Sequence, residues 1–369
     1  MAMTRREMLA AGAVAAGSAM GSASLGLAAQ EKVVKSGRLK QSVCRWCYDA
    51  VLGARRIPLD DFCKAVAAMG LTAVDLLQPE EWEVAARYGL TCSTGFPGKG
   101  GGTIPDGLNN RMLHDPIVKT FEGVLPKAKQ MGVPNLITFF GNRRGMPDSE
   151  AADNCIAVLG RLAPMAEAHG ITIVVELLNS KVDHADYQGD HTDFGVKVVK
   201  AVNSPRIRLL YDIYHMQIME GDIIRTIQQN KQWFAHYHTG GVPGRHELDP
   251  TQELQWAAIV KAILDTGYTG YFAHEFIPQR DPLASLREAV ALCDVLGPTS
   301  VGPTPVSRDV GARLQSRPLV GRSARARLQS RHSINIRSID AHPELVRVPR
   351  QPVCPCRRAG PCGEDNMGG

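Results

Sequence analysis

The sequence predicts an α/β protein folded as a closed (β/α)8 TIM barrel, and three observations carry that expectation. Between residues 39 and 297, helices of amphipathic spacing close on glycine and are followed at once by short apolar runs. Eight such runs can be counted, the number a closed parallel barrel needs. The runs are apolar at successive positions, as expected of strands covered by helices outside and packed side chains within. An open doubly wound sheet is the competing architecture, and the lack of Gly-x-Gly-x-x-Gly after the first strand argues against it.

The elements follow in order. Residues 1–30 join Arg5 and Arg6 to a weakly apolar Ala/Gly/Met run that ends in small residues. That is the pattern of an export signal of the twin-arginine type, so a periplasmic or exported location is expected, and a cytoplasmic one if the signal is not used. QSVCRWCY reads as the first strand. The helix PLDDFCKAVAAM then ends at Gly70, a residue suited to the left-handed position that closes a helix, and the second strand, LTAVDLL, begins. The same junction recurs at Gly89, Gly132, Gly170 and Gly267, ahead of the third, fourth, fifth and eighth strands. Polar junctions at Ser204-Pro205 and Lys231-Gln232 precede the sixth, IRLLYDIYH, and the seventh, WFAHYHTG. The intervening segments EEWEVAARYG, PIVKTFEGVLPKAKQMG, SEAADNCIAVLGRLAPMAEAHG, FGVKVVKAVNS and LQWAAIVKAILDTG carry apolar residues at three- and four-residue spacing.

Residues 298–369 lose this periodicity and repeat ARLQSR at 312–317 and 326–331. From residue 299 onward they hold twelve arginines, no lysine and five acidic residues, so the formal net charge of +5 belongs to the tail and not to the barrel. The tail reads as a disordered basic extension, either unconstrained or an arm for an anionic surface or nucleic acid. A nucleic-acid partner is not expected of the barrel, and nothing reaches the roughly 18 apolar residues of a membrane span. Of the nine cysteines, Cys63, Cys92, Cys155 and Cys293 sit singly in apolar contexts as core residues. Cys44 and Cys47, if both lie on a strand, point to opposite faces and do not pair.

The chemistry gathers where apolar runs give out. Glu176, Asp212, His238 and Glu275 end the fifth, sixth, seventh and eighth strands, separated by 36, 26 and 37 residues, about one strand-helix unit each. In a barrel these are neighbours on the C-terminal rim, where catalytic groups sit. Three converging carboxylates would repel one another unless a cation lies among them. Three oxygens and one imidazole suit one divalent ion, Mn²⁺ or Mg²⁺ first, with Co²⁺ or Zn²⁺ as the alternatives. His215 is placed either to face substrate or to support the metal, and Asn179, Lys181 and His184 after the fifth strand read either as pocket lining or as an ordinary solvated loop. His236 shares the inward parity of His238, and His274 has the outward one. TGGVPGRHE offers Gly240, Gly241 and Gly244 for close backbone approach and Arg245 as a fork for an anion. Arg143 and Arg144 are further anion candidates.

YDIYHMQIMEGD (211–222) followed by HTGGVPGRHE (238–247) resembles the hydroxypyruvate isomerase branch of the xylose-isomerase-like barrels, which also holds sugar epimerases of the tagatose 3-epimerase type. The resemblance covers residues 39–296. It implies metal-assisted aldose-ketose isomerisation, most simply hydroxypyruvate to tartronate semialdehyde, or epimerisation of a larger keto-sugar. By position it implies that Glu176 and Glu275 are both metal ligands and the acid/base pair, that Asp212 and His238 complete the metal site, and that His215 and Arg245 hold substrate. His238 departs from the glutamine common in hydroxypyruvate isomerases and matches the epimerases. A phosphodiesterase of the endonuclease IV type would need more histidines at the rim for several zinc ions. A sugar-binding barrel without turnover, and assembly into a homo-oligomer, stay open at this stage.

Overall fold

The computed structural model describes residues 32–48 and 57–294. The export signal, the basic tail and the C-terminal limit of the barrel domain at residue 297 fall outside the described residues. The strands are β1 (Lys40–Cys44), β2 (Ala73–Asp75), β3 (Thr91–Cys92), β4 (Thr94–Gly95), β5 (Asn135–Phe139), β6 (Thr172–Glu176), β7 (Ile207–Asp212), β8 (Phe234–Thr239) and β9 (Tyr271–His274). The helices are α1 (Leu59–Met69), α2 (Trp82–Ala86), α3 (His114–Gln130), α4 (Asp148–His169), α5 (Thr192–Val202), α6 (Ile213–Met219), α7 (Ile223–Asn230), α8 (Trp256–Asp265) and α9 (Pro282–Cys293).

Every strand pairing is parallel, and the order is β3-β2-β1-β9-β8-β7-β6-β5-β4. β3 and β4 are two pieces of the single third strand expected from the sequence. The two ends of that order are therefore one stretch of chain, and the sheet comes round to a nearly closed barrel. At the junction the Ser93 amide donates to the Val74 carbonyl at 3.0 Å, and Asn135 Nδ2 donates to the Ser93 carbonyl at 3.0 Å from the other side. The TIM barrel read from the sequence is the fold.

Apolar side chains fill two layers. Val43, Val74, Ile137, Val174 and Leu209 come from the strands, and Phe62, Phe121, Leu159, Val198, Ile259 and Val290 from the helices packed against them; all are essentially inaccessible. Gly70 and Gly170, expected to close helices, do so in the left-handed region at φ 89° and 72°, and Asn203 takes that role before the Ser204-Pro205 junction at φ 53°. Ahead of β1, the amides of Lys35, Ser36 and Gly37 converge on the Asp294 carboxylate, with Ser36 at 2.7 Å and Gly37 at 2.9 Å. That contact ties the first described segment to the end of α9.

The first strand is shorter than expected. It stops at Cys44, and residues Arg45–Tyr48 form a 3-10 turn. The opposite-face reasoning for Cys44 and Cys47 therefore does not apply, although both are buried free thiols, as are Cys63, Cys92, Cys155 and Cys293. The reason is local. Beyond Cys44 the chain has reached the barrel mouth, and the turn sends Tyr48 back onto Phe62, ring centroids 5.1 Å apart, while Trp46 faces the mouth. Among the described residues no helix is long and apolar enough to cross a membrane.

Candidate active site and metal centre

β6 and β7 end on Glu176 and Asp212, β8 carries His238 one residue before its end, and Glu275 follows β9 directly. Asp212 and His238 are register partners. One ligand atom from each of the four lies within 4.8 Å of the others, and all four side chains are buried. Asp212 serves two elements: it caps α6 by accepting from the His215 amide through Oδ1 at 3.1 Å, while Oδ2 accepts from Arg245 Nη2 at 2.6 Å. This cap is why a buried apolar strand ends in an acid. The strand read as running through His215 ends at Asp212, and His215 lies in the first turn of a helix.

His238 is held from both sides. Its Nδ1 lies 2.6 Å from Glu275 Oε2, 3.2 Å from Glu176 Oε1 and 3.8 Å from Asp212 Oδ2. Its Nε2 lies 2.9 Å from Asp75 Oδ2. Asp75, at the end of β2, is completely buried and accepts from Ser93 Oγ; it also meets His236 Nε2 at 3.1 Å and the Cys44 thiol at 3.5 Å. Burial alone would raise the Asp75 pKa, but His236 and His238 bring it well below the usual carboxylate range. Asp75 therefore anchors the imidazole with Nδ1 turned toward the three acids, the carboxylate-histidine arrangement that orients metal ligands.

The acids are unevenly compensated. Burial raises Glu176 to about 7, with the Glu275 and Asp212 charges adding to the effect and His238 opposing it. Burial also raises Asp212, against the pull of Arg245. Glu275 is held well below its ordinary value: Arg245 and His238 overcome the effect of burial, and Trp46 Nε1 donates to its Oε1 at 2.6 Å. With His238 neutral as a nitrogen donor, three buried acids share the guanidinium of Arg245, which leaves room for positive charge, and the O, O, O, N donor set fits one hard or borderline divalent ion.

Arg245 is at the centre of the cluster. It sits in the left-handed region at φ 58°, rests on the Tyr214 ring at 4.7 Å, and donates through Nη2 to Asp212 and Glu275. Its Nη1 lies 3.0 Å from His215 Nε2. The glycines before it serve the chain's own packing. A Cβ at Gly241 would stand 2.3 Å from the Glu247 carbonyl, and one at Gly240 would meet Arg245 Cγ at 3.0 Å and Tyr214 Cβ at 3.1 Å; Gly244 alone of the three lines the cavity.

Glu176, Glu275, His184, His215 and Arg245 line one cavity of about 600 Å³ at the barrel mouth. Asn179 lies behind it. Its Nδ2 is 2.7 Å from His215 Nδ1, and its Oδ1 accepts from the amides of Val182 and Asp183, so it shapes the loop and does not reach the cavity. Lys181, expected to hold substrate, instead donates to the carbonyls of Ile218 and Met219 at the end of α6, both at 3.0 Å. Exposed carbonyls at a helix C-terminus are natural partners for an ammonium. Arg143 pairs with Asp190 at 2.9 Å and Arg144 with Asp106 at 2.8 Å, both outside the cavity. His236 faces inward onto Asp75. His274 faces outward, its Nε2 2.7 Å from Gln41 Oε1. Sequence reasoning missed Asp75 and Trp46. An acid inside the apolar TAVDLL was the available signal for the first; the second had none, because its segment read as strand.

The family described as Xylose isomerase-like TIM barrel matches residues 63–296. The chain belongs to that family. It is 31% identical over 124 residues to 2-oxo-tetronate isomerase of Cupriavidus necator, covering 34% of this chain and 47% of that protein. It is 32% identical over 114 residues to hydroxypyruvate isomerase of Escherichia coli K12, covering 30% and 44%. The chain thus spans about half the length of these relatives. A crystal structure of an AP endonuclease, family 2, from Brucella melitensis superposes with a TM-score of 0.58 at 24% identity, covering 67% of this chain and 97% of that one, a likeness of fold.

Proposed function

We propose that this family member is an isomerase of hydroxy-carbonyl compounds, moving a proton between adjacent carbons. The observation that carries the reading is the placement of Glu176 and Glu275 on one cavity, each within 3.2 Å of the same imidazole nitrogen. Glu176, Asp212, His238 and Glu275 would hold a divalent ion, Mn²⁺ or Mg²⁺ in preference to Co²⁺ or Zn²⁺. When bound, such an ion supplies positive charge to the substrate's carbonyl and hydroxyl oxygens, which makes the intervening C–H more acidic.

The chain's own groups do the rest. One glutamate takes the proton from the hydroxyl-bearing carbon and the other delivers a proton to the former carbonyl carbon. The hydroxyl proton passes to the former carbonyl oxygen, so the formula is unchanged. Arg245, held by Asp212 and Glu275, brings the positive charge of its guanidinium to the cavity where charge would develop on the substrate oxygens, and His215, set between Asn179 and Arg245, helps to hold that guanidinium in place. The buried setting keeps bulk water from competing for that charge.

Similarity to hydroxypyruvate isomerase favours conversion of hydroxypyruvate to tartronate semialdehyde as the first compound to assay. The size of the cavity favours a second reading, epimerisation or isomerisation of a larger keto-sugar. Incubation of the Mn²⁺-loaded protein in D₂O with hydroxypyruvate, a pentulose and a hexulose, followed by NMR, tests the reaction class. Enzyme-dependent deuterium at a carbon next to the carbonyl is expected in at least one compound. Metal binding without exchange in any would point to a binding barrel.

A further inference from the structure

We infer that the floor of the barrel, at the end away from the candidate active site, is a binding site for a small multivalent anion, a phosphate compound or a polycarboxylate. The inference stands apart from the proton-transfer reading above. A cavity of about 600 Å³ opens there, within the size range of small-molecule sites. Five strands supply their first residues to it, Lys40, Asn135, Thr172, Phe234 and Tyr271, and Arg206 comes just before a sixth. On β9 four residues separate Tyr271 from Glu275, so roughly 13 Å of strand lies between this floor and the candidate metal ligands.

Its charge is uncompensated. The lining carries Lys40, Arg206 and Lys231 and, among the described residues, no acid. None of these three cations has a carboxylate partner among the described residues, whereas Arg87, Arg161 and Arg225 each have one within 3.0 Å. Lys40 Nζ stands over the Tyr271 ring, 5.7 Å from its centroid, and Arg206 Nη1 donates to the Thr172 hydroxyl at a long 3.4 Å. Burial, aided by the neighbouring Arg206 charge, lowers the pKa of Arg208. Yet the chain ahead of the basic tail is net acidic, so this positive site is a local concentration and not a share of a general excess.

Like charges on one concave surface repel one another and focus a positive potential, and an anion held among them relieves the repulsion. Here they close on one cavity from the start of β1, the turn before β7 and the turn before β8. A guanidinium is a planar fork that meets phosphate or carboxylate oxygens two at a time, and ammonium groups add charge without a fixed direction. The Thr269 hydroxyl and the Gln232 amide, on the same wall, are further donors for anionic oxygens. Three positive groups match a ligand with two or more negative charges.

The test is calorimetric titration of the full-length protein with inorganic pyrophosphate and with citrate, without added metal because both anions chelate it. The wild type is expected to bind at least one of them. Arg206→Ala, and separately the double variant Lys40→Ala/Lys231→Ala on exposed side chains, should each bind it at least about tenfold more weakly, the scale of one lost charge-assisted hydrogen bond. A control, Lys64→Ala/Lys119→Ala, removes two exposed lysines from α1 and α3 and should bind as the wild type does. Thermal melts check that every variant folds. Tighter binding of pyrophosphate assigns a phosphate compound to the floor, and tighter binding of citrate a polycarboxylate. No binding of either anion by the wild type would overturn the inference. So would a loss no greater in the floor variants than in the control, which would place the bound anion elsewhere on the chain.

Discussion

Asp75 and Glu275 act on opposite edges of one imidazole. Glu275 shares the cavity with Glu176, whereas Asp75 lies below it and fixes the ring from Nε2. Their substitutions should therefore differ in kind. Asp75→Asn removes the charge that orients His238 without touching the cavity, and Mn²⁺ affinity measured by calorimetry is expected to fall by about 10–100-fold. An unchanged affinity would show that the ring is positioned by β8 alone. The four rim residues were legible in the sequence because each interrupts or ends an apolar run at the spacing of one strand-helix unit. Asp75 was not, because β2 is three residues long and its acid resembles any polar residue at a strand end. Trp46 depends on a turn that propensity alone would have drawn as strand.

At the scale of elements, the loop after β8 is held by Glu247. Its carboxylate accepts from the amides of Gln279 and Arg280 at 2.8 and 3.0 Å and from Ser285 Oγ at 2.9 Å, joining that loop to the start of α9. Burial would raise its pKa, but these hydrogen bonds, with its own backbone amide, bring it below the ordinary value. A depressed folded-state pKa stabilises the protein above the unfolded value of about 4.3 and loses that contribution as pH falls through the folded one. Glu247→Gln is expected to cost about 1–3 kcal/mol near neutral pH, and its deficit in thermal melts should narrow as the pH is lowered below about 4. A deficit constant with pH would contradict the assignment. Helices and their glycine ends were readable from periodicity and position. Where β1 stops and why the third strand divides at Ser93 were not, because both depend on where the closing sheet meets its neighbours.

The whole barrel was legible because alternation of element types survives any error in a single boundary. How its ends are joined was not, since the partners lie 257 to 259 residues apart in sequence. Asp294 gathers three amides of the first described segment, and Asp294→Ala leaves those donors without their acceptor. A loss of about 1–3 kcal/mol in thermal or denaturant unfolding is expected; no change would mean that this contact is incidental to closure. Proton transfer between two glutamates is the claim on which the functional account stands. Its most direct test compares deuterium exchange by the wild type and by Glu275→Gln, at matched Mn²⁺ loading, on whichever hydroxy-carbonyl compound the wild type turns over. The account predicts that the variant binds the ion and exchanges at least about 10²–10⁴-fold more slowly. Exchange at the wild-type rate would contradict it.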